Sequence, residues 1–229
     1  MKLVILTGAG ISAESGLGTF RDAGGLWEKY PIEQVATPEG FAADPALVHE
    51  FYNARRANCQ ASAPNAAHDA LARLEGALGD DMLIVTQNVD DLHERAGSKA
   101  VWHMHGALNR ARCAACEQTW DAPAEMHPSD PCPSCKTPAT RPDIVWFGEM
   151  PYFMEEIYDR LHGADLFVSI GTSGNVYPAA GFVQEAAAAG ARTLELNLEP
   201  SLGASLFDES RTGPASRIVP EWVDSLITG

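Results

Sequence analysis

Positive charge is scarce in this chain. Sixteen Lys and Arg stand against 31 Asp and Glu, a formal net charge of −15 over 229 residues. Binding to a nucleic-acid backbone draws on clustered cations that displace counterions, so no nucleic-acid partner is expected. Acidic surfaces suit basic partners such as lysine-bearing peptides, although solubility alone also favours them. Long hydrophobic runs are missing too. No stretch approaches the ~20 apolar residues that cross a bilayer, so no membrane partner is expected. Lys2 is followed by only four apolar residues before Thr7 and Gly8, too few for a signal-peptide core, and a cytoplasmic protein is expected. Cysteine is sparse: Cys59 stands alone, and the other four are Cys113, Cys116, Cys132 and Cys135. No internal repeat or coiled-coil pattern appears, and a monomer is expected.

What is present reads as an ordinary globular protein. Hydrophobic residues make up 45% and charged residues 21%, enough for one sizeable core or for a large and a small module. Short apolar runs that end in small or polar residues resemble buried parallel strands: 3–7, 82–86, 101–104, 166–170 and 193–196, with 217–219 as a weaker sixth. Between them lie helical patterns. Asp44-Pro45 reads as an N-cap followed by proline at the first helical position, opening a helix through about Cys59. Ala67, Ala70, Leu71, Leu74 and Leu78 keep helical spacing, and "AAGFVQEAAAAG" reads as a helix closed by Gly190. Strands alternating with helices predict an α/β fold, a doubly wound parallel sheet. Residues 110–141, rich in cysteine and proline and without periodicity, read as a metal-held insertion.

Three features carry chemistry. Gly8, Gly10 and Ala13 fit G-x-G-x-x-G/A after a strand, a pattern that turns tightly and brings backbone and a helix N-terminus close to a pyrophosphate. The fit is partial. No strand ending in Asp or Glu follows about 20 residues on; a long loop, "SGLGTFRDAGGLWEKY", stands there instead. The alternative is a glycine turn that only packs a helix on a strand. Two C-x2-C pairs separated by fifteen residues offer four thiolates for a closed, structural tetrahedral zinc site with no vacant position for catalysis. Finally, "TQNVDDLH", "HMHG" and "GTSGNVYP" follow predicted strands. In an open α/β sheet such loops converge outside the carboxyl edge. His103 and His105 alternate and should share a face, with Met104 opposite. His105 lies nearest the strand end and precedes Gly106, which favours it over the role of a satisfied core histidine.

The blocks "GAGISAESGLGTFRDAGGLWEKY", "TQNVDDLHERAGS", "HMHGAL", the four cysteines, "RPDIVWFGE", "GTSGNVYPAA" and "LNLEP" with "GPAS" together resemble the sirtuin family, and within it the bacterial CobB type. They cover essentially the whole chain. The resemblance implies a Rossmann-type large part (1–30, 77–108 and 143–229). It also implies a small domain made of a helical insertion (31–76) and a zinc ribbon (109–142) binding Zn2+ through Cys113, Cys116, Cys132 and Cys135. It implies NAD as a consumed co-substrate and acyl-lysine proteins or peptides as partners. NAD is expected along Gly8, Ala9, Gly10, Ala13, Glu14, Thr19, Phe20, Arg21 and Trp27. Further contacts are expected from Gln87, Asn88, Asp90, Gly171, Thr172, Ser173, Asn197, Leu198, Glu199 and Ala215.

The activity implied is protein-lysine deacylation. Asn88 and Asp90 position the nicotinamide amide, nicotinamide leaves, and the acyl oxygen attacks the ribose. His105 then acts as general base on the ribose hydroxyls, and free lysine and 2′-O-acyl-ADP-ribose result. The segment Val145, Trp146, Phe147, Gly148 to Glu149 is expected as a strand pairing with the substrate peptide by β-augmentation. Tyr52 and Arg55 sit at i, i+3 on one helix face. In the family this pair marks pockets for succinyl- or malonyl-lysine, with Ala23 leaving room for the longer acyl group, and removal of acetyl groups is expected as well. The competing readings are an NAD-dependent oxidoreductase, a non-catalytic zinc-ribbon NAD sensor or nucleic-acid module, and mono-ADP-ribosyl transfer as a minor activity.

Overall fold

Apolar residues of both parities fill the runs "LVILT", "MLIVT" and "LFVSI", and every residue in them is buried. A strand covered on both faces needs that composition. The computed structural model describes residues 1–18 and 30–228. Its elements run β1 (Leu3–Thr7), α1 (Ala9–Ser12), α2 (Ile32–Val35), α3 (Pro38–Ala43), α4 (Pro45–Ala61), α5 (Ala66–Leu78), β2 (Met82–Thr86), α6 (Leu92–Ala96), β3 (Val101–His103), β4 (Gly106–Cys113), β5 (Thr119–Asp121), β6 (Thr140–Ile144), α7 (Met154–His162), β7 (Leu166–Ile170), α8 (Phe182–Ala188), β8 (Arg192–Asn197), β9 (Glu209–Thr212) and α9 (Ala215–Thr228).

Six strands form a parallel sheet in the order β3-β2-β1-β7-β8-β9. This is the doubly wound order, reversing direction beside β1. The parity of each strand sorts its side chains onto two faces. Leu3, Ile5, Ile84 and Val168 meet Ala70, Leu71 and Leu74 of α5 and Val219, Trp222 and Val223 of α9. Val4, Leu6, Val85 and Phe167 meet Ile157 and Leu161 of α7 and Phe182, Val183 and Ala186 of α8. Each large side chain taken fully out of water contributes roughly 1.5–3 kcal/mol. The register pairs Thr7 with both Thr86 and Ile170, so three strands end level and their loops leave from one edge.

The small part has two pieces. A three-stranded antiparallel sheet runs β5-β4-β6. The helical piece has its own core, in which Val48, Phe51 and Tyr52 of α4 pack against Leu108, Ile144 and Trp146. Asp44 caps α4 by accepting from the Leu47 N–H at 3.0 Å, with Pro45 in the first turn, as its sequence predicts.

Three expectations change. Residues 217–219 lie inside α9, where Ile218, Val219, Trp222 and Val223 form its buried stripe. The sixth strand is Glu209–Thr212, exposed throughout, and an exposed edge strand has no reason to carry an apolar run. The helix Ala66–Leu78 packs into the large core, so a domain boundary at 76 cuts an element of the large part. Last, 145–149 is not a strand. Strand β6 stops at Ile144, and the segment beyond spends its donors internally. Val145 N–H bonds His105 O (2.9 Å), Phe147 N–H bonds Ala36 O (2.9 Å) and Trp146 N–H bonds Glu149 Oε2 (2.9 Å), and Gly148 turns the chain at φ +92°.

Candidate active site

At the shared edge, the glycines of the first loop meet those of another. A Cβ on Gly8 would sit 2.8 Å from Gly171 O, one on Gly10 would sit 2.7 Å from Gly171 Cα, and one on Gly171 would sit 2.4 Å from Ile11 N. Gly171 also holds φ +63°, which favours glycine. The Gly10 N–H donates to Gly171 O at 2.9 Å. The glycine pattern thus locks the ends of β1 and β7 together, the packing role weighed beside ligand approach. The helix that follows has only four residues, then a 3-10 turn closed by Gly16, so its macrodipole is small.

A polar network hangs from this joint. Asn88 Nδ2 donates to Gly8 O and Ser12 Oγ, both at 3.2 Å, and its N–H bonds Thr86 Oγ1 at 3.0 Å. Ser12 Oγ donates to Asp90 Oδ2 at 3.1 Å, and Asp90 Oδ1 accepts from Leu92 N–H at 3.2 Å. Burial pushes the Asp90 carboxyl above its ordinary pKa, against the Leu92 and Ser12 hydrogen bonds. Asn88 Oδ1 makes no hydrogen bond among the described residues, and it is an acceptor suited to an amide N–H. Behind Ser12, His68 Nδ1 accepts from the Asn65 N–H at 3.3 Å, so its Nε2 carries the hydrogen that faces Ser12 Oγ at 3.5 Å. Ser12 and His68 are functional neighbours that the sequence reasoning missed. Ser12 lay inside a quoted block, but only a contact across 78 positions reveals its partner Asp90.

The two histidines separate clearly. His103 faces two acceptors, Asn88 O at 3.0 Å and Glu94 Oε1 at 2.7 Å. An imidazole that donates from both nitrogens is the cation. Burial opposes that charge, yet Glu94 outweighs it and the His103 pKa rises. His105 Nδ1 donates to Gln87 O at 3.2 Å, and its Nε2 has no hydrogen-bond partner among the described residues. Burial lowers its pKa, with Gln87 only partly offsetting it. A neutral imidazole with its Nε2 lone pair open is a general base in waiting. Gly106 follows for a steric reason: with φ +78°, a Cβ there would lie 2.0 Å from Asp143 O.

Other expected site residues are placed as follows. Gln87 and Thr172 line one recess with Ser169 and Gly174. Ser173 Oγ accepts from the Asn175 N–H at 3.3 Å. Asn197 Nδ2 donates to Thr172 O at 2.7 Å, Leu198 and Glu199 are exposed, and Ala13 is exposed behind the loop. Glu14 is committed elsewhere, accepting from Ser216 N and Oγ at 2.9 and 2.7 Å and so tying the glycine loop to α9 beside Ala215. Thr19, Phe20, Arg21, Ala23 and Trp27 lie outside the described residues.

Across from the sheet edge, Tyr52 is buried and Arg55 half-buried on α4. The Arg55 guanidinium lies 5.7 Å from the Phe51 ring centroid and 5.8 Å from that of Tyr52. Burial lowers the Arg55 pKa, while Tyr52 and then the Asp90 charge raise it. Val89 packs on the core of α4 while its neighbours Asn88 and Asp90 turn to the glycine loop. Of the peptide segment, Val145 is half-buried, Trp146 buried, and Phe147 and Gly148 exposed.

Farther out, four cysteine sulfurs converge. Cys113 Sγ lies 3.6 Å from Cys135 Sγ and Cys116 Sγ 3.7 Å from Cys132 Sγ, with all four within 4.8 Å and none disulfide-bonded. Ala115 and Ser134 N–H groups donate to Cys113 and Cys132 sulfurs at 3.4 Å. Such a cluster could bind a metal ion.

The family model described as "Sir2 family" matches residues 8–178. The chain belongs to the Sir2 family. A Caulobacter vibrioides Sir2 relative, an "NAD-dependent protein deacylase", is 58% identical over 99% of this chain and 97% of its own. Among solved structures, a Sir2 homologue–NAD complex aligns with a TM-score of 0.91 at 38% identity, over 99% of this chain and 90% of that one. "Sir2 bound to acetylated peptide" aligns at 0.80 and 27% identity, over 98% and 92%. Among the described residues, no helix is long and apolar enough to cross a membrane.

Proposed function

We propose that this chain is an NAD-dependent protein-lysine deacylase that removes acetyl, succinyl and malonyl groups. The observation that carries the reading is the placement of His105: oriented by Gln87 through Nδ1, with Nε2 open beside the Asn88–Asp90 loop, in surroundings whose burial lowers its pKa. NAD bound across Gly8–Gly10, Gln87–Asp90, Gly171–Ser173 and Asn197–Glu199, with Ala215 near its far end, supplies a ribose carbon able to take up an acyl oxygen as nicotinamide departs. Asn88 orients the departing amide through Oδ1, while Ser12 and Gly8 hold the Asn88 side chain. Asp90, buried and bonded to Ser12, fixes that loop. His105 Nε2 takes a proton from a ribose hydroxyl, the step that general bases accelerate by about 10²–10⁴-fold. The segment 145–148 borders the peptide. With the N–H groups of Val145, Trp146 and Phe147 spent inside the protein, its contacts are left to the Gly148 backbone, carbonyls and the exposed Phe147 side chain.

Acyl choice is assigned to α4. A guanidinium fork and a phenol side by side match a carboxylate, which supports succinyl and malonyl groups as substrates. The four thiols suit one structural Zn2+. Tetrahedral bonds of about 2.3 Å set sulfurs roughly 3.8 Å apart, close to the 3.6 and 3.7 Å pairs here. The net charge of −15 favours basic peptides over nucleic acid, and the reading is of a cytoplasmic monomer. The test is mass spectrometry of acetyl- and succinyl-lysine peptides with and without NAD. Free lysine peptide, nicotinamide and acyl-ADP-ribose in equal amounts are expected only with NAD. Deacylation without NAD, or appearance of NADH, overturns the reading.

A further inference from the structure

Tyr52 is 1% exposed, so its hydroxyl must find partners inside the protein. Its oxygen accepts the Trp146 indole N–H at 3.0 Å, across 94 positions, and the Arg55 guanidinium carbon lies beside the same ring, 5.8 Å from its centroid. Both neighbours are donors that cannot accept. The phenolic hydrogen therefore has no acceptor among the described residues. A buried O–H flanked by two donors, one of them a guanidinium, is set to give its hydrogen to an anion.

Trp146 cannot turn away from this task. The Arg141 guanidinium carbon lies 3.5 Å from its ring centroid. Arg141 grips Glu149 through two bonds of 2.7 and 2.9 Å, and Glu149 Oε2 accepts the Trp146 backbone N–H at 2.9 Å. The Phe41 ring closes another side with centroids 5.1 Å apart. Ring and backbone are both held, so the direction of the indole N–H is fixed.

We propose that Trp146 is a positioning residue for acyl selection. By donating to Tyr52 it turns the phenolic hydrogen toward the far carboxylate of a dicarboxylic acyl chain, beside Arg55. The proposal rests on the dicarboxylate reading of Tyr52 and Arg55 given above. It makes the segment that borders the peptide and the pocket that reads the acyl group one hydrogen-bonded unit.

Trp146→Phe keeps an aromatic ring for Arg141 and removes only the N–H. The measurement is kcat and KM for acetyl and succinyl forms of one peptide. The succinyl-to-acetyl ratio of kcat/KM should fall about 10-fold, mainly through the succinyl KM. Tyr52→Phe removes the hydroxyl from the other side and should lower the same ratio. The double variant should be no less selective than Tyr52→Phe alone, because the two act through one bond. A merely structural role for Trp146 lowers both substrates equally and leaves the ratio standing. That result, or additive losses in the double variant, overturns the proposal while the dicarboxylate reading survives. Wild-type protein that leaves succinyl-lysine intact overturns both.

Discussion

The two sides of the site are built differently. On the sheet side, backbone and short polar side chains dominate: Asn88 donates to Gly8 O and Ser12 Oγ at 3.2 Å, and Gln87 O holds His105 at 3.2 Å. On the insertion side, long side chains from α4 meet a loop whose order depends on Arg141, Glu149 and Trp146. The sheet side sits on strands buried on both faces, while in the small sheet β6 is buried throughout but β5 is not. Strand β5 is half-buried to exposed, and the cluster of thiols lies at its tip. The difference teaches a division of labour. Under the proposed function, the sheet side carries the reaction and the insertion side the choice of acyl group.

Removing the metal should break the comparison most severely. Structural zinc in small modules contributes on the order of 10 kcal/mol to folding. Chelation should therefore cost β4, β5 and β6 their hydrogen-exchange protection and end turnover, while β1, β2 and β7 amides stay protected. Loss of protection across the large sheet would show that the two sides fold as one. Next in size, His105→Ala should lower kcat by about 10²–10⁴-fold on every acyl group alike, read in steady-state rates beside NAD affinity by calorimetry. A loss confined to one acyl group would place His105 on the wrong side of the divide. Arg55→Met should instead shift selectivity, cutting succinyl relative to acetyl kcat/KM by roughly 10-fold or more. Equal losses would erase the distinction between the sides.

The smallest effect is on pH. His105 works as a base only when neutral, and burial lowers its pKa. The acid limb of kcat/KM should therefore lie below the ordinary histidine value of about 6.5. His103 behaves oppositely. Its raised pKa means that the Glu94 pairing stabilises the fold fully below that ordinary value and fades as pH rises through the raised one. A limb above 6.5 would mean that His103, and not His105, controls the rate.

Much of the sheet side was legible in the sequence, because its signals are local. Strand runs, the Gly8–Gly10 loop and the His105-Gly106 step each declare themselves within a few residues. The insertion side was legible in the Asp44-Pro45 cap of α4, in the C-x2-C pairs and in the helical spacing that pairs Tyr52 with Arg55. Its remaining determinants are contacts between distant positions, such as Trp146 to Tyr52 and Arg56 Nε to Leu108 O at 2.7 Å, and no periodicity announces them. The edge strand Glu209–Thr212 escaped because solvent imposes no alternation on it. At 145–149 the strand was expected from the resemblance alone, and the N–H groups of Val145, Phe147 and Trp146 are answered by His105, Ala36 and Glu149.

Gly106 has a consequence for anyone redesigning this protein. With Asp143 O only 2.0 Å from where a side chain would begin, position 106 works as a hinge pin between the imidazole before it and the strand that leads into residues 145–149. Enlarging it would displace both parts at once. Libraries that seek new acyl preferences should leave this residue, and the buried Val48 and Phe51 of α4, unchanged.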